Sequence, residues 1–205
     1  LSRQVWSPFA TCWRESHPDI ELWCPDLPGF GDAERPSGML PNLSAYGRWL
    51  AQGAVQQAQG RPFMLLGHSL GGSVVLHAEA HLRQRKQPGL TGVVLLAAGG
   101  GIYQPRPFRR LRSFGRLILE LRPDALGQLP APIGTLGPFK AERRAARGLL
   151  VNSTSRGAVR ELPGLVSDLG VDSLWISGDN DQVMEPGYVR HLAAYSPGHD
   201  YRQIA

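Results

Sequence analysis

At 205 residues the chain has the length of one domain, enough to bury roughly 70% of the surface its unfolded form would expose. A composition of 42% apolar and 19% charged residues excludes intrinsic disorder, and the longest apolar runs fall well short of the 18 residues a membrane-spanning helix needs. The net charge of +5 is concentrated: residues 101–160 carry 12 Lys/Arg against three acids, a local balance of +9, and the remainder is at −4. Two cysteines, Cys12 and Cys24, cannot make a disulfide framework and fit a reducing compartment. The opening residues do not read as a secretory signal, and the expected location is cytoplasmic.

In chain order, Trp6, Phe9 and Trp13 recur at three- to four-residue spacing, which reads as a core-facing helix side rather than a stacking platform. Apolar runs bounded by turn residues follow at Ile20 to Cys24, Phe63 to Leu66, Gly92 to Ala98 and Ser173 to Ser177. Each is apolar throughout rather than alternating, the pattern of strands covered on both faces of a parallel sheet. Helical patterns lie between them at Ser44 to Gln59, Gly71 to Arg85 and Pro186 to Tyr195. Ser44 suits the N-cap of the first and Pro186 the first turn of the last. Tyr201 to Ala205 reads as a final strand. Strand–helix alternation of this kind predicts a three-layer α/β architecture with a mostly parallel sheet.

The alternation breaks after Gly101. Phe108, Leu111, Phe114, Leu117, Ile118 and Leu121 fall on one side of a helix expected from Phe108 to Arg122, with Arg109, Arg110, Arg112 and Arg116 mostly opposite. A proline-rich Leu129-Pro130-Ala131-Pro132 follows. We expect a helical cap at residues 102–165 inserted into a core formed by residues 1–101 and 166–205, placed to cover the carboxyl edge of the sheet, where open α/β sheets bind ligands.

The strongest chemical signal is Gly67-His68-Ser69-Leu70-Gly71-Gly72, with an apolar strand before it and a helical pattern after it. A strand that turns sharply into a helix needs glycines on either side of the turn residue. At Gly67 and Gly71 they remove side chains that would collide, leaving the Ser69 hydroxyl presented as a nucleophile. The Leu70 N–H, at the helix start, can donate to a developing oxyanion. The competing interpretation is a serine in a glycine-rich turn that packs or binds phosphate.

These residues carry a resemblance. Cys24-Pro25-Asp26-Leu27-Pro28-Gly29-Phe30-Gly31 resembles the D-L-P-G-F-G loop that precedes the nucleophile strand in the α/β-hydrolase superfamily. The Gly67 to Gly72 segment resembles the G-H-S-x-G-G elbow of its lipase, esterase and thioesterase-like branch. Ile176-Ser177-Gly178-Asp179-Asn180-Asp181 resembles the strand-end segment supplying the catalytic acid. The resemblance implies an α/β-hydrolase fold, with Ser69 as nucleophile, Asp181 as acid and Leu70 in the oxyanion hole. Asp179 is the second choice for the acid and Glu185 the third; a loop acid that caps the following helix is the alternative for both aspartates. Serine at the elbow, rather than aspartate, points away from the epoxide-hydrolase and haloalkane-dehalogenase branches.

The superfamily places its histidine after the last strand. Loop, helix, turn and strand lengths after Asp181 put that position near or just past residue 205. His199 and His191 are the downstream histidines. A helix from Pro186 to Tyr195 spans about 15 Å at 1.5 Å per residue and carries His199 to the opposite edge of the sheet. His199 is therefore expected before the last strand, and His191 on a helix face. The second oxyanion donor is expected ahead of Leu1. The chain is thus expected to be an internal fragment, inactive as it stands, or else a non-catalytic relative.

The expected function is hydrolysis of an ester or thioester through a Ser69 acyl-enzyme; acyl transfer and non-catalytic binding are the alternatives. No cofactor or metal is implied, because no His/Cys cluster has ligand spacing. For the basic span the readings are a solvated surface, attraction of an anionic small-molecule substrate, or contact with an anionic membrane surface. Nucleic acid is not expected, since no recognition motif accompanies the charge.

Overall fold

The computed structural model describes residues 2–98 and 142–205. The helix expected from Phe108 to Arg122, the proline-rich segment and most of the expected cap lie outside the described residues. The chain divides into two compact units, one holding residues 1–39 and 116–147, the other 40–115 and 148–205.

In the first unit, α1 (Ser7–Ser16) follows a short 3₁₀ turn. Its aromatic residues form a ladder: Trp6 and Phe9 are 5.8 Å apart, Phe9 and Trp13 5.5 Å, and Trp13 stacks on His17 at 4.5 Å. The spacing was expected to mark core, yet no residue of α1 is buried and the ladder is half-exposed. Its rings are satisfied by one another along the helix, so a three- to four-residue aromatic period does not by itself require a second surface. The run Ile20 to Cys24, expected as a strand, has no regular structure. It leads directly into the loop Pro25 to Gly31. Asp26 is the hub of that loop, accepting from the N–H groups of Arg3 (2.7 Å) and Asp32 (3.1 Å) and pairing with the Arg3 guanidinium at 3.2 Å. Burial pushes its carboxyl up, but the two N–H donors and the Arg3 charge outweigh burial and hold it below its ordinary value. Glu142 ties back to the same region by a bidentate pair with Arg35, both bonds 2.8 Å, and by its N–H to the Gly29 carbonyl at 2.7 Å.

The second unit is built on four parallel strands in the order β1 (Phe63–His68), β2 (Leu90–Leu96), β3 (Asp172–Gly178) and β4 (His199–Ile204). Between them run α3 (Leu70–Gln84) after β1 and α6 (Pro186–Ala193) after β3. Helix α2 (Leu43–Ala58) precedes β1 and packs on α3. Its cap is Asn42, not Ser44: the Asn42 backbone is extended and its Oδ1 accepts from Ala45 N–H at 2.8 Å, while Ser44 is already inside the helix. Helices α4 (Arg143–Ser153) and α5 (Arg156–Ser167) are the described part of the expected insertion, and α5 packs on α3 and α6.

The sheet is not equally covered on both faces. Leu65, Val93, Leu95 and Trp175 are buried and share one face in register. On the other, Met64 is 60% and Leu66 38% exposed. The helices explain the asymmetry. Gly72 of α3 approaches Leu95, and the Pro186 carbonyl of α6 is reached by Tyr201, which pairs with Trp175. Both helices therefore stand over the Trp175 face. Among the described residues of this unit, the helices that cover the sheet stand over the Trp175 face. Buried polar atoms on the covered face are satisfied in series: the Trp175 indole donates to Ser173 Oγ at 3.0 Å, which lies 3.3 Å from Ser196 Oγ.

Candidate active site

Because all four strands run parallel, their carboxyl ends share one edge, lined by His68, Leu96, Gly178 and Ile204. Ser69 stands there, between the last residue of β1 and the first of α3. Its φ of +52° with ψ −122° is a conformation that residues with a Cβ rarely adopt, and such strain persists only where surrounding structure imposes it.

Three contacts impose it. Ser69 N–H donates to the Leu96 carbonyl of the neighbouring strand at 2.9 Å, and the Ser69 carbonyl accepts from Gly72 N–H at 2.9 Å. The turn is tight enough that a Cβ at Gly67 would lie 2.5 Å from the Gly71 carbonyl oxygen and 2.7 Å from Gly72 Cα, backbone atoms that cannot swing aside. The second crowded glycine is Gly72, whose Cβ would overlap that of Ala98. At Gly71, expected to be crowded along with Gly67, a Cβ would meet nothing within 4 Å among the described residues. The reason is geometric: Gly71 is the second residue of α3 and points away from the strands, and Gly72 points at them.

A serine preceding a helix normally turns its hydroxyl to cap it. Ser69 makes no side-chain cap bond, so its backbone twist leaves the hydroxyl uncommitted. The N–H of Leu70, as the first residue of the helix, has no intrahelical acceptor.

Asp181 lies in the loop between β3 and α6, half-buried, and its Oδ1 accepts from the N–H groups of Val183 and Met184, both at 2.8 Å. Burial lowers the His68 imidazole from its ordinary pKa, and the Asp181 carboxylate opposes that shift, so its charge is felt at the elbow. Asp179 is exposed, and its N–H continues the sheet register by donating to the Ile204 carbonyl at 2.7 Å. Glu185 precedes α6 without capping it.

All six histidines fall within the described residues. His199 opens β4 opposite Ser173, at the amino edge of the sheet, with Nδ1 2.7 Å from the Ser196 carbonyl. His191 lies on α6 with its ring edge-on to Tyr195 at 5.5 Å. In the sheet unit, His68 is the histidine at the Ser69 edge. Among the described residues no cluster of three or more His, Cys, Asp or Glu could hold a metal ion, and no helix is long and apolar enough to cross a membrane.

Three contributors to this edge carried little signal in the sequence. Ala97 follows β2 at φ +45° and donates its N–H to the Ile176 carbonyl at 2.8 Å, which lets Leu96 face Ser69 and Ala98 face Gly72. An alanine at positive φ has no sequence signature. Tyr201 and Ser177 were legible only as strand residues.

Comparison with known proteins places this architecture. A pimeloyl-[acyl-carrier protein] methyl ester esterase from Stenotrophomonas maltophilia (strain K279a) is 29% identical over 202 aligned positions, covering 88% of this chain and 72% of that protein. Among solved structures, a hydrolase from Oleispira antarctica superposes with a TM-score of 0.76 at 13% identity, over 100% of this chain and 78% of its own. An esterase from Thermogutta terrifontis gives 0.70 at 19% identity, over 100% and 77%. An esterase from Exiguobacterium antarcticum gives 0.66 at 16%, over 88% and 71%. At these identities the structures speak for the fold. The parallel sheet, the strained serine between β1 and α3, and a match of residues 1–204 to the model of the alpha/beta hydrolase family agree: the chain belongs to the α/β-hydrolase family.

Proposed function

We propose that this hydrolase cleaves a carboxylic ester or thioester through an acyl-enzyme on Ser69, with Asp181 as the acid that orients and stabilises an imidazolium and the Leu70 N–H as an oxyanion donor. The observation that carries the proposal is the serine held at φ +52° with its hydroxyl not used to cap α3. A packing or capping role would not need that strain. Asp181 is preferred over Asp179 because it holds the family's offset from Gly178 and is half-buried with its Oδ1 anchored by the Val183 and Met184 N–H groups, whereas Asp179 is exposed.

The account assigns the general base to none of the six histidines. His199 is at the wrong edge, His191 is on a helix face, and His68 belongs to the strand that presents the serine. Hydrolysis by these 205 residues alone is therefore expected to be low, on the order of 10⁴-fold or more below a complete triad. His199→Ala should leave whatever rate is measured unchanged; loss of the rate in that variant would make His199 the base.

For the substrate, we propose an acyl group on an anionic carrier, drawn to the basic span of residues 101–160. The +9 balance of residues 101–160 supports this, as does an esterase relative named for an acyl-carrier-protein ester. Neutralising Arg109, Arg110 and Arg112 should raise KM for anionic esters more than for neutral ones, by a margin that shrinks with salt. Equal changes would mean a solvated surface. The nucleophile itself is tested by Ser69→Ala, which should abolish ester hydrolysis and fluorophosphonate labelling together; labelling that persists would end the assignment.

A further inference from the structure

Tyr201 is a β4 residue whose hydroxyl reaches across β3 to the start of α6. It lies 2.6 Å from Ser177 Oγ, and 3.3 Å from both the Pro186 carbonyl and Gln203 Oε1. Ser177 is the penultimate residue of β3 and Pro186 the first of α6, so this one hydroxyl touches both ends of the loop that carries Asp181.

Counting protons fixes the direction of the chain. A tyrosine hydroxyl has one proton, and the Pro186 carbonyl and Gln203 Oε1 can only accept. Ser177 is fully buried, and its hydroxyl has Tyr201 as its partner among the described residues. If Tyr201 donated to Ser177, the serine proton would be buried without an acceptor. The arrangement that places both protons runs from Ser177 to Tyr201 and from Tyr201 onward to the Pro186 carbonyl, with Gln203 Oε1 close by. The carbonyl has a second lone pair, so it accepts from Tyr201 without surrendering its bond within the helix.

We infer that Tyr201 is a positioning residue that clasps the base of the acid loop and so fixes the place of Asp181. The inference rests on the proposal that Asp181 is the catalytic acid. Within the loop, Asp181 Oδ1 organises the Val183 and Met184 N–H groups. That internal turn shapes the loop; the Tyr201 bridge fixes its two ends relative to each other. Ser177 has a different part: it satisfies Tyr201, and Tyr201 satisfies it, and among the described residues its hydroxyl makes no hydrogen bond to α6.

The test is hydrogen exchange at the Val183 and Met184 amides, which report the Asp181 bonds directly and need no turnover. Ser177→Ala keeps the Tyr201–Pro186 link and should leave both amides within twofold of the parent. Tyr201→Phe removes the link and strands the Ser177 hydroxyl, so both amides should exchange at least about tenfold faster and Tm should fall by about 2–4 °C. The double variant Ser177→Ala/Tyr201→Phe has no stranded hydroxyl; its Tm should recover while the two amides stay fast. That separation of loop exchange from Tm is what a merely structural role would not give. Unchanged amides in Tyr201→Phe, equal acceleration at Leu95 in the sheet centre, or amides that recover with Tm in the double variant would each overturn the inference. Asp181→Asn decides the other question in a form of the enzyme with a working general base: unimpaired hydrolysis there removes the acid assignment and leaves the exchange result standing.

Discussion

The elbow and the acid loop meet at one edge of the sheet but are held in opposite ways. At the elbow the constraint is backbone against backbone: Ser69 N–H on the Leu96 carbonyl, Gly72 N–H on the Ser69 carbonyl, and no room for a Cβ at Gly67 or Gly72. In the acid loop the constraint is made by side chains, with Asp181 Oδ1 holding two amides and Tyr201 touching both loop ends. Backbone packing fixes a nucleophile rigidly at a cost in strain, whereas side-chain hydrogen bonds set an acid in place and let the loop sequence vary.

The largest effect expected from this contrast is on catalysis. Ser69→Ala should bring whatever ester hydrolysis the parent chain shows down to the detection limit, as followed with a chromogenic ester; against a complete triad the loss is on the order of 10⁴- to 10⁶-fold. Next is stability at the glycines. Gly67→Ala drives a Cβ into backbone atoms and should cost about 3 kcal/mol or prevent folding, whereas Gly71→Ala, with open space around it, should stay within about 1 kcal/mol of the parent. Urea unfolding of the two variants checks the ordering; equal losses would mean that the turn is not held by backbone contact.

Smaller effects distinguish strain from contact at Ser69. Glycine adopts φ +52° freely, so Ser69→Gly should be more stable than Ser69→Ala by about 1 kcal/mol, although neither can form an acyl-enzyme. The smallest effect links the two regions. Burial lowers the His68 pKa and the Asp181 carboxylate partly restores it, so Asp181→Asn should lower it further. The imidazole would then take up its proton at a lower pH in an NMR titration. A rise, or no change, would mean that the acid's charge does not reach the elbow.

Which parts of this edge were legible in the sequence follows from the same contrast. The strand–glycine–serine–glycine–helix order is a local backbone requirement, and it announced the elbow; apolar runs announced β1, β2 and β3, and Tyr201 to Ala205 announced β4. Crowding is a tertiary property, which is why Gly72 rather than Gly71 faces Ala98, and why Ala97 at positive φ was invisible. The run Ile20 to Cys24 has strand composition but no regular structure, since composition alone does not make a strand. The α1 aromatics had the period of a buried face and instead contact one another along the helix. Asp181 was chosen by its offset from Gly178, and its bonds to Val183 and Met184 had no sequence signal, while Tyr201 acts across strands and no local pattern marks it.

The central claim is that the elbow presents Ser69 as the nucleophile, and peptide mapping after prolonged incubation with a fluorophosphonate tests it most directly. The account predicts a single adduct, on the peptide containing Ser69, in the parent chain and none in Ser69→Ala. An adduct on another residue, an adduct that survives the alanine substitution, or a parent chain that never labels would contradict it.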